Sequence, residues 1–248
     1  MNPVVVKSVG RVFEALELFD RTRRPMTATE VGRALHYPQS STLVLLKSMV
    51  VLGYLAFDRK EHTYLSTIRV ALLGQWLENS LYGEGHLLAL LDDIREATGE
   101  TVSLSCQNDL AMQFTQIRMG TKPLTLHIQS GAVAPLFHST IGLVALSEKS
   151  DDDITSLLER VNRKAKGGDR KGDLATTLQS VRKIRRVGYG IGHNMYVPEI
   201  GAIAWLLPPR TGKRSVVLAV AGPSSRIKAA EREIVQSVGT AIRHQVRR

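Results

Sequence analysis

Four consecutive polar side chains follow Pro38 and could form hydrogen bonds with the edges of DNA bases. They are Gln39, Ser40, Ser41 and Thr42. Proline is favoured where a helix begins, because that position needs no N–H donor, so these residues occupy a predicted first helical turn. Helix propensity does not explain so many small polar residues there. Glutamine can form two hydrogen bonds with adenine, and hydroxyls can bond to several bases. The segment therefore predicts a helix start that reads base edges.

Two helices and a hairpin are predicted around this segment. Thr27 and Glu30 have the spacing of a capping box, which marks the start of a short helix. The helix after Pro38 carries apolar residues at helical spacing and ends at Gly53. Two β-prone runs then flank the charged turn 58–61. Helix, turn, helix and hairpin make a winged helix-turn-helix, whose second helix normally lies in the major groove of double-stranded DNA.

Four cationic side chains are predicted to contact DNA phosphates. Arg59 and Lys60 lie at the tip of the predicted hairpin, Arg11 lies in a helix predicted over 7–20, and Lys47 lies farther along the second helix. Helix pairs with polar starts also occur without any DNA function, and the basic hairpin tip is what favours DNA binding. The alternative is a winged helix used only for protein–protein assembly.

The composition fits a partner that carries phosphates. The chain has 248 residues, a formal net charge of +10 and an isoelectric point near 9.9. One cysteine excludes an internal disulfide and a multi-cysteine zinc site, and the seven histidines lack metal-ligand spacing. No apolar run approaches the length of a membrane span, and the N-terminus does not resemble a signal peptide. We expect a cytoplasmic protein without a metal or cofactor.

Enzymatic chemistry has little support in the sequence. His138 and Ser139 are neighbours, but no acid–base pair stands in a recognisable context. Cys106 alternates within a predicted strand and is interpreted as a buried apolar residue. The glycine-rich run 188–192 follows a predicted helix and lacks the context of a dinucleotide-binding motif. We expect that the chain is not an enzyme.

The rest of the chain predicts a connecting helix followed by an α+β domain. The helix over 66–81 carries apolar residues, Leu72 and Trp76 among them, that would pack on a second subunit or on the following domain. Strands are predicted at 101–106, 111–118, 124–128, 200–207 and 216–221, and a closing helix at 225–246. The basic segment 160–186 is interpreted as a solvated surface rather than a DNA contact.

Six short segments share their order with one known family. They are SVGR at 8–11, YPQSS at 37–41, LGYL at 52–55, PLFHSTIG at 135–142, IGAIA at 200–204 and GP at 222–223. Through them the chain resembles the IclR family of transcriptional regulators. The resemblance implies a winged-helix DNA-binding domain at 1–65, a linker helix at 66–83 and a GAF-like α+β domain at 84–248 that binds a small organic effector. It also implies homodimers or tetramers.

Departures from the family pattern affect both expected sites. Family members often carry Lys after the helix-opening proline and Arg five residues beyond it. Here Gln39 and Val44 occupy these places, so two phosphate or guanine contacts are absent. On the last strand, Ala219 and Ala221 replace polar residues that line the pocket in some members. This predicts a pocket more apolar than one that holds a two-carbon acid.

The implied effector pocket is predicted between strands 124–128, 200–207 and 216–221 and the segment 139–142. Small side chains would leave its space, and apolar or polar side chains would form its walls. The predicted lining residues are Leu126, Thr140, Ile141, Asn194, Tyr196, Ala202, Ile203, Ala219 and Ala221. We expect an aromatic or short aliphatic acid, held by backbone N–H groups near Thr140. The alternative is that the alanines pack tightly and no pocket exists.

Overall fold

The computed structural model describes residues 6–82, 86–129, 131–166, 170–207 and 215–246. The side chains of 76–82, 86, 245 and 246 also lie outside the description. The chain divides into two compact units, Met1–Asn79 and Ser80–Arg248. Among the described helices, none is both long and apolar enough to cross a bilayer.

The first unit is a winged helix-turn-helix, as the sequence predicts. Its elements are α1 (Lys7–Thr22), β1 (Met26–Thr27), α2 (Ala28–Leu35), α3 (Gln39–Val51), β2 (Leu55–Asp58), β3 (Thr63–Ser66) and most of α4 (Ile68–Tyr82). The three strands form an antiparallel sheet in the order β1-β3-β2. The capping box at the start of α2 is confirmed, since Thr27 and Glu30 each accept the other's backbone N–H.

The second unit is an α+β domain built on one antiparallel sheet. Its elements are α5 (His86–Thr98), β4 (Thr101–Asn108), β5 (Ala111–Arg118), β6 (Val133–Pro135), α6 (Thr140–Leu146), α7 (Asp151–Lys164), α8 (Leu174–Val187), β7 (Gly190–His193), β8 (Ile200–Leu207), β9 (Val216–Pro223), α9 (Ser224–Ala229) and α10 (Glu231–Val246). The strand order is β6-β5-β4-β9-β8-β7.

Both faces of this sheet are covered, because side chains alternate between two cores along each strand. Leu104, Ile203 and Leu218 belong to the core shared with α5 and α10. Met112 and Val217 belong to the core shared with α6, α7 and α8. The second face is the one on which a cavity lies.

The predicted strand at 124–128 is wrong. Leu124 has φ of 56°, and the carbonyl of Leu126 accepts a hydrogen bond from the Thr101 hydroxyl at 2.9 Å. The carbonyls of Pro123 and Leu124 accept from Arg226 at 2.7 and 3.3 Å. Side chains therefore take the place of a strand partner, and β6 pairs with β5 instead.

Two further differences concern the C-terminal part of the second unit. The helix predicted over 225–246 is interrupted at Ala230, which separates α9 from α10. The glycine-rich run, to which the sequence assigned no strand, contains the first three residues of β7. Gly190 lies under Val144 of α6, and a Cβ there would be 2.6 Å from that side chain. The glycine is therefore explained by close packing of helix on strand.

Candidate nucleic-acid interface and ligand pocket

The first turn of α3 presents two exposed polar side chains. Pro38 precedes the first helical residue, and Gln39 and Ser40 are exposed. The Gln39 amide lies 3.4 Å from the hydroxyl of Thr29 on α2, which orients it without burying it. Ser41 is half-buried, and its hydroxyl donates to the Pro38 carbonyl at 2.9 Å. Gln39 and Ser40 are therefore the side chains of this turn most available to a base edge.

The prediction that Thr42 faces a DNA groove is wrong. Thr42 is 0% exposed, and its hydroxyl donates to the Pro38 carbonyl at 3.0 Å. It lies on the buried face of α3 with Leu46, one turn along. Gly32 of α2 lies opposite, where a Cβ would be 3.1 Å from the Thr42 hydroxyl oxygen. Thr42 therefore packs α3 against α2.

The four cationic side chains predicted to contact phosphates differ in their exposure to solvent. Lys47, Arg59 and Lys60 are exposed. The Asp58 carboxylate accepts the backbone N–H of Lys60 at 2.8 Å, which shapes the wing tip. The Arg11 guanidinium lies over the ring of Tyr37, 4.7 Å from its centroid, and is half-buried.

Tyr37 is itself held in place beneath Arg11. Its hydroxyl donates to the Glu14 carboxylate. Burial and that hydrogen bond raise the pKa of Tyr37, so its phenol stays protonated as a donor. The Arg11 guanidinium is therefore held against the Tyr37 ring, at the junction of α1 with the turn before α3.

A cavity of about 290 Å³ lies in the second unit, between the sheet and the start of α6. Its lining is mostly apolar and includes no lysine or arginine among the described residues. Seven of the predicted pocket residues line it: Leu126, Thr140, Ile141, Tyr196, Ala202, Ala219 and Ala221.

The floor of the cavity includes a row of small residues that crosses the sheet from β9 to β7. Thr101, Ala221, Ala202 and Gly192 are successive cross-strand partners from β4 through β9 and β8 to β7. None of the last three extends beyond Cβ, so space remains above them. A Cβ on Gly192 would collide with the Thr140 hydroxyl, so this wall of the cavity requires glycine beneath it.

The next row shows that small residues alone do not make a cavity. Ser103, Ala219, Ala204 and Gly190 are partners across the same four strands. At the Ala204 end of this row, side chains of α6 and α8 occupy the space, and Ala204 is fully buried. The helices therefore cover the Ala204 end of this row, whereas Ser103 and Ala219 at its other end line the cavity.

The cavity mouth is bounded by the segment after β7. The Tyr196 hydroxyl lies 3.4 Å from the Val133 carbonyl, so the tyrosine spans the edge of the opening while remaining half exposed. The Thr140 hydroxyl lies 3.6 Å from the sulfur of Met195. Met195 and Val197 complete the same wall.

Two of the predicted lining residues lie elsewhere. Asn194 is exposed in a turn with φ of 55°, and its N–H donates to the Ile200 carbonyl at 2.8 Å. It does not reach the cavity. Ile203 alternates with Ala202 and Ala204 along β8, so it faces the opposite core. Both predictions are wrong. The turn directs the Asn194 side chain to solvent, and the register of β8 directs the Ile203 side chain to the opposite face of the sheet.

Sequence reasoning missed Ser103. The alternation in β4 suggests one buried and one open face, but Thr101, Ser103 and Ser105 are all buried. The hydroxyls of Thr101 and Ser105 donate to backbone carbonyls of Leu126 and Val217. Ser103, 2% exposed, lines the cavity, and its hydroxyl has no hydrogen-bond partner among the described residues. Because this hydroxyl faces the cavity, it can form a hydrogen bond with a polar atom of a ligand.

A buried ion pair holds the segment that leads into the cavity wall. Glu100 is almost fully buried and accepts two hydrogen bonds from Arg226, at 2.6 and 2.8 Å. Lys122 lies 3.4 Å from the same carboxylate. The Glu100 hydrogen bonds raise the pKa of Arg226. Because Arg226 also donates to the carbonyls of Pro123 and Leu124, it ties α9 to the loop before Leu126.

Both units of the chain match domains of known proteins. Residues 8–59 match the IclR helix-turn-helix domain, and residues 86–247 match the C-terminal domain of the bacterial transcriptional regulator IclR. The chain is 24% identical to the HTH-type transcriptional regulator KdgR of Escherichia coli over 245 residues, which cover 98% of this chain and 92% of KdgR.

Solved structures share the fold. An IclR-type regulator from Alicyclobacillus acidocaldarius superposes with a TM-score of 0.72 at 21% identity, covering 98% of this chain and 96% of that one. An IclR homologue from Microbacterium hydrocarbonoxydans, complexed with 4-hydroxybenzoate, gives 0.70 at 18% identity, covering 97% and 99%.

The two domain matches together span most of the sequence, and the structure has the winged helix and the α+β domain that they describe. This family consists of DNA-binding regulators with a C-terminal effector domain, not of enzymes. The chain belongs to the IclR family of bacterial transcriptional regulators.

Proposed function

We propose that the cavity between the sheet and α6 is the effector site, and that it binds an aromatic or short aliphatic acid whose binding changes DNA affinity. The observation that carries the proposal is a mostly apolar cavity onto which the Ser103 hydroxyl opens, without a hydrogen-bond partner among the described residues. Residues 1–65 would bind DNA, 84–248 would bind the acid, and 66–83 would link the two.

The size and polarity of the cavity favour a small ligand with one polar end. Its volume of about 290 Å³ is at the lower end of small-molecule sites, about 300–1,000 Å³. Phe114 and Ile141 offer apolar contact to a ring or a short chain. The 4-hydroxybenzoate bound by the Microbacterium homologue is a ligand of this class.

The polar end would be held without a lysine or an arginine. No lysine or arginine of the described residues lines the cavity, so a carboxylate would rely on hydrogen-bond donors. The backbone N–H groups of Thr140 and Ile141 begin α6, and neither has an acceptor among the described residues. The Gly142 N–H is already taken by the Ser139 hydroxyl at 3.1 Å. Two N–H groups and the Ser103 hydroxyl are therefore the proposed donors.

Calorimetric titration with matched acids and neutral analogues tests this proposal. We expect 4-hydroxybenzoate, benzoate or hexanoate to bind the wild type more tightly than benzyl alcohol or hexanol does. Ser103→Ala should weaken binding of the acid by about 0.5–1.5 kcal/mol, the net contribution of one hydrogen bond. Acids that bind no better than their alcohols, with Ser103→Ala unchanged, would contradict the assignment of the acid group.

For DNA, we propose that Gln39 reads a base while the wing cations contact phosphates. Gln39→Ala should weaken binding to the selected operator by about 1–3 kcal/mol and leave binding to random DNA nearly unchanged. A variant with Arg59 and Lys60 both changed to Gln is the matched control. It should weaken both DNAs alike and lower the salt slope by about two. Equal losses on both DNAs for Gln39→Ala would contradict base reading.

We also propose that the chain acts as a homodimer or a pair of dimers. Exposed large apolar side chains occur on α1 and α4, namely Val9, Phe13, Ile68, Leu72 and Leu73. Trp76, predicted on the same stripe, has its side chain outside the described residues. A dimer would engage two half-sites about 10–10.5 base pairs apart.

Sedimentation measures this assembly directly. Leu72→Lys with Leu73→Lys should shift the protein towards monomer at micromolar concentration, because two charges would be buried in the interface. Lysines at Val51 and Leu52, also exposed but at the end of α3, are the control and should leave the assembly unchanged. A wild type that sediments as a monomer would rule the dimer out.

A further inference from the structure

Val44 is an exposed apolar side chain on the face of α3 that carries Ser40. It is 66% exposed. Its neighbours one turn away, Ser40, Lys47 and Ser48, are exposed and polar. The opposite face of the helix holds the buried Thr42, Leu46 and Met49. Val44 therefore contributes nothing to the core of this unit.

Local structure does not require valine at this position. A β-branched residue is a weaker helix former than alanine, lysine or glutamine, which also suit an exposed position. The Ser48 hydroxyl donates to the Val44 backbone carbonyl at 2.9 Å, a bond that any residue at 44 could accept. What is particular to valine is the isopropyl group directed to solvent.

The position of Val44 along α3 places it within reach of base edges. It lies five residues after Gln39, about 8 Å along the helix axis, since a helix rises about 1.5 Å per residue. The major groove is about 12 Å wide and admits the N-terminal half of such a helix. Val51, 87% exposed on the same helix, lies about 18 Å from Gln39 along the axis and outside that reach.

We propose that Val44 is a specificity-determining residue that contacts the 5-methyl group of a thymine in the operator. The thymine methyl is the one apolar group that the major groove presents, and apolar side chains recognise it by contact. The polar neighbours Ser40 and Lys47 suit a nucleic-acid surface better than the centre of a protein interface, where serine and lysine are depleted. The inference rests on the proposed role of α3 as the helix that lies in the groove.

Replacing thymine by uracil tests this contact, because the change removes only the methyl group. A random duplex library is first enriched with the wild-type protein, and each dT of the strongest duplex is then replaced by dU in turn. We expect one thymine in each half-site whose replacement weakens wild-type binding by roughly fourfold, the effect of one methyl group removed from water.

Two variants show whether Val44 is the residue that contacts the methyl group. Val44→Ser should bind the dT and dU duplexes equally at that position. Val51→Ser, the matched control, should keep the wild-type response to dU. The inference is overturned if no dU position weakens binding, if Val44→Ser keeps the response, or if Val44→Ser changes only the oligomeric state. A library that yields no enriched sequence would contradict DNA recognition by α3 itself, and the thymine contact with it.

Discussion

Replacing Ala202 and Ala221 together with leucine is expected to abolish ligand binding while the domain stays folded. The two alanines are cross-strand partners in the open row of the floor, and both line the cavity. The new side chains would occupy the space of about 290 Å³ in which the ligand is proposed to lie. A ligand that entered the filled cavity would be overpacked against each leucine, at a cost of about 1–3 kcal/mol per leucine. The affinity of the protein for the ligand should therefore fall roughly thirtyfold or more. Titration calorimetry and a thermal melt measure the two effects.

A third alanine on the same face supplies the control. Ala204 lies at the end of the adjacent row where α6 and α8 already fill the space, and it is fully buried. Ala204→Leu should therefore lower the free energy of unfolding by about 1–3 kcal/mol without filling the cavity. If Ala202→Leu with Ala221→Leu destabilises the domain as much as Ala204→Leu does, the alanines are tightly packed core and the pocket assignment fails.

Replacing Arg226 with methionine is expected to lower the free energy of unfolding by about 3 kcal/mol. Removing one partner of a buried pair typically costs about 3–5 kcal/mol, because the other charge is left buried and unpaired. Glu100 is 2% exposed, whereas the Arg226 side chain is 27% exposed, so we expect the lower end of this range. Urea denaturation of the second unit gives this value. The same variant should weaken ligand binding, since Arg226 also holds the loop that precedes Leu126.

A double variant separates the charge from the packing. Glu100→Gln with Arg226→Met removes both charges, so it should be less destabilising than Arg226→Met alone. Lys122, 3.4 Å from the Glu100 carboxylate and partly exposed, is the weaker partner, and Lys122→Met should cost much less than Arg226→Met. Equal losses for Arg226→Met and the double variant would show that the charge of Glu100 is not what Arg226 stabilises.

The elements that short-range rules govern could be predicted from the sequence. The capping box at Thr27, the helix start after Pro38 and the hairpin with its charged turn depend on neighbours within a few residues, and the structure has all three. The direction of Thr42 could not be predicted in this way. Its burial depends on Gly32 of another helix, where the missing side chain lets α3 approach.

The pocket could be predicted only in part for the same reason. Small residues at Ala202, Ala219 and Ala221 indicate space on a strand face, but they do not indicate whether a helix fills it. The segment around Leu126 forms a wall rather than a strand because Thr101 and Arg226, distant in sequence, take its carbonyl groups and those just before it. Ser103 differs from Thr101 and Ser105 only through the sheet register and the position of α6, which no local pattern specifies.

The effect of acids on DNA affinity tests the central claim most directly. Binding of the selected operator duplex would be measured for the wild type and for Ala202→Leu with Ala221→Leu, with and without each acid of a panel of benzoates and short aliphatic monocarboxylates. We predict that at least one acid changes the wild-type DNA affinity by about fivefold or more, as expected for coupled sites, and that none changes it in the filled variant. An acid that acts equally on both proteins, or a panel that leaves wild-type DNA affinity unchanged, would contradict the account.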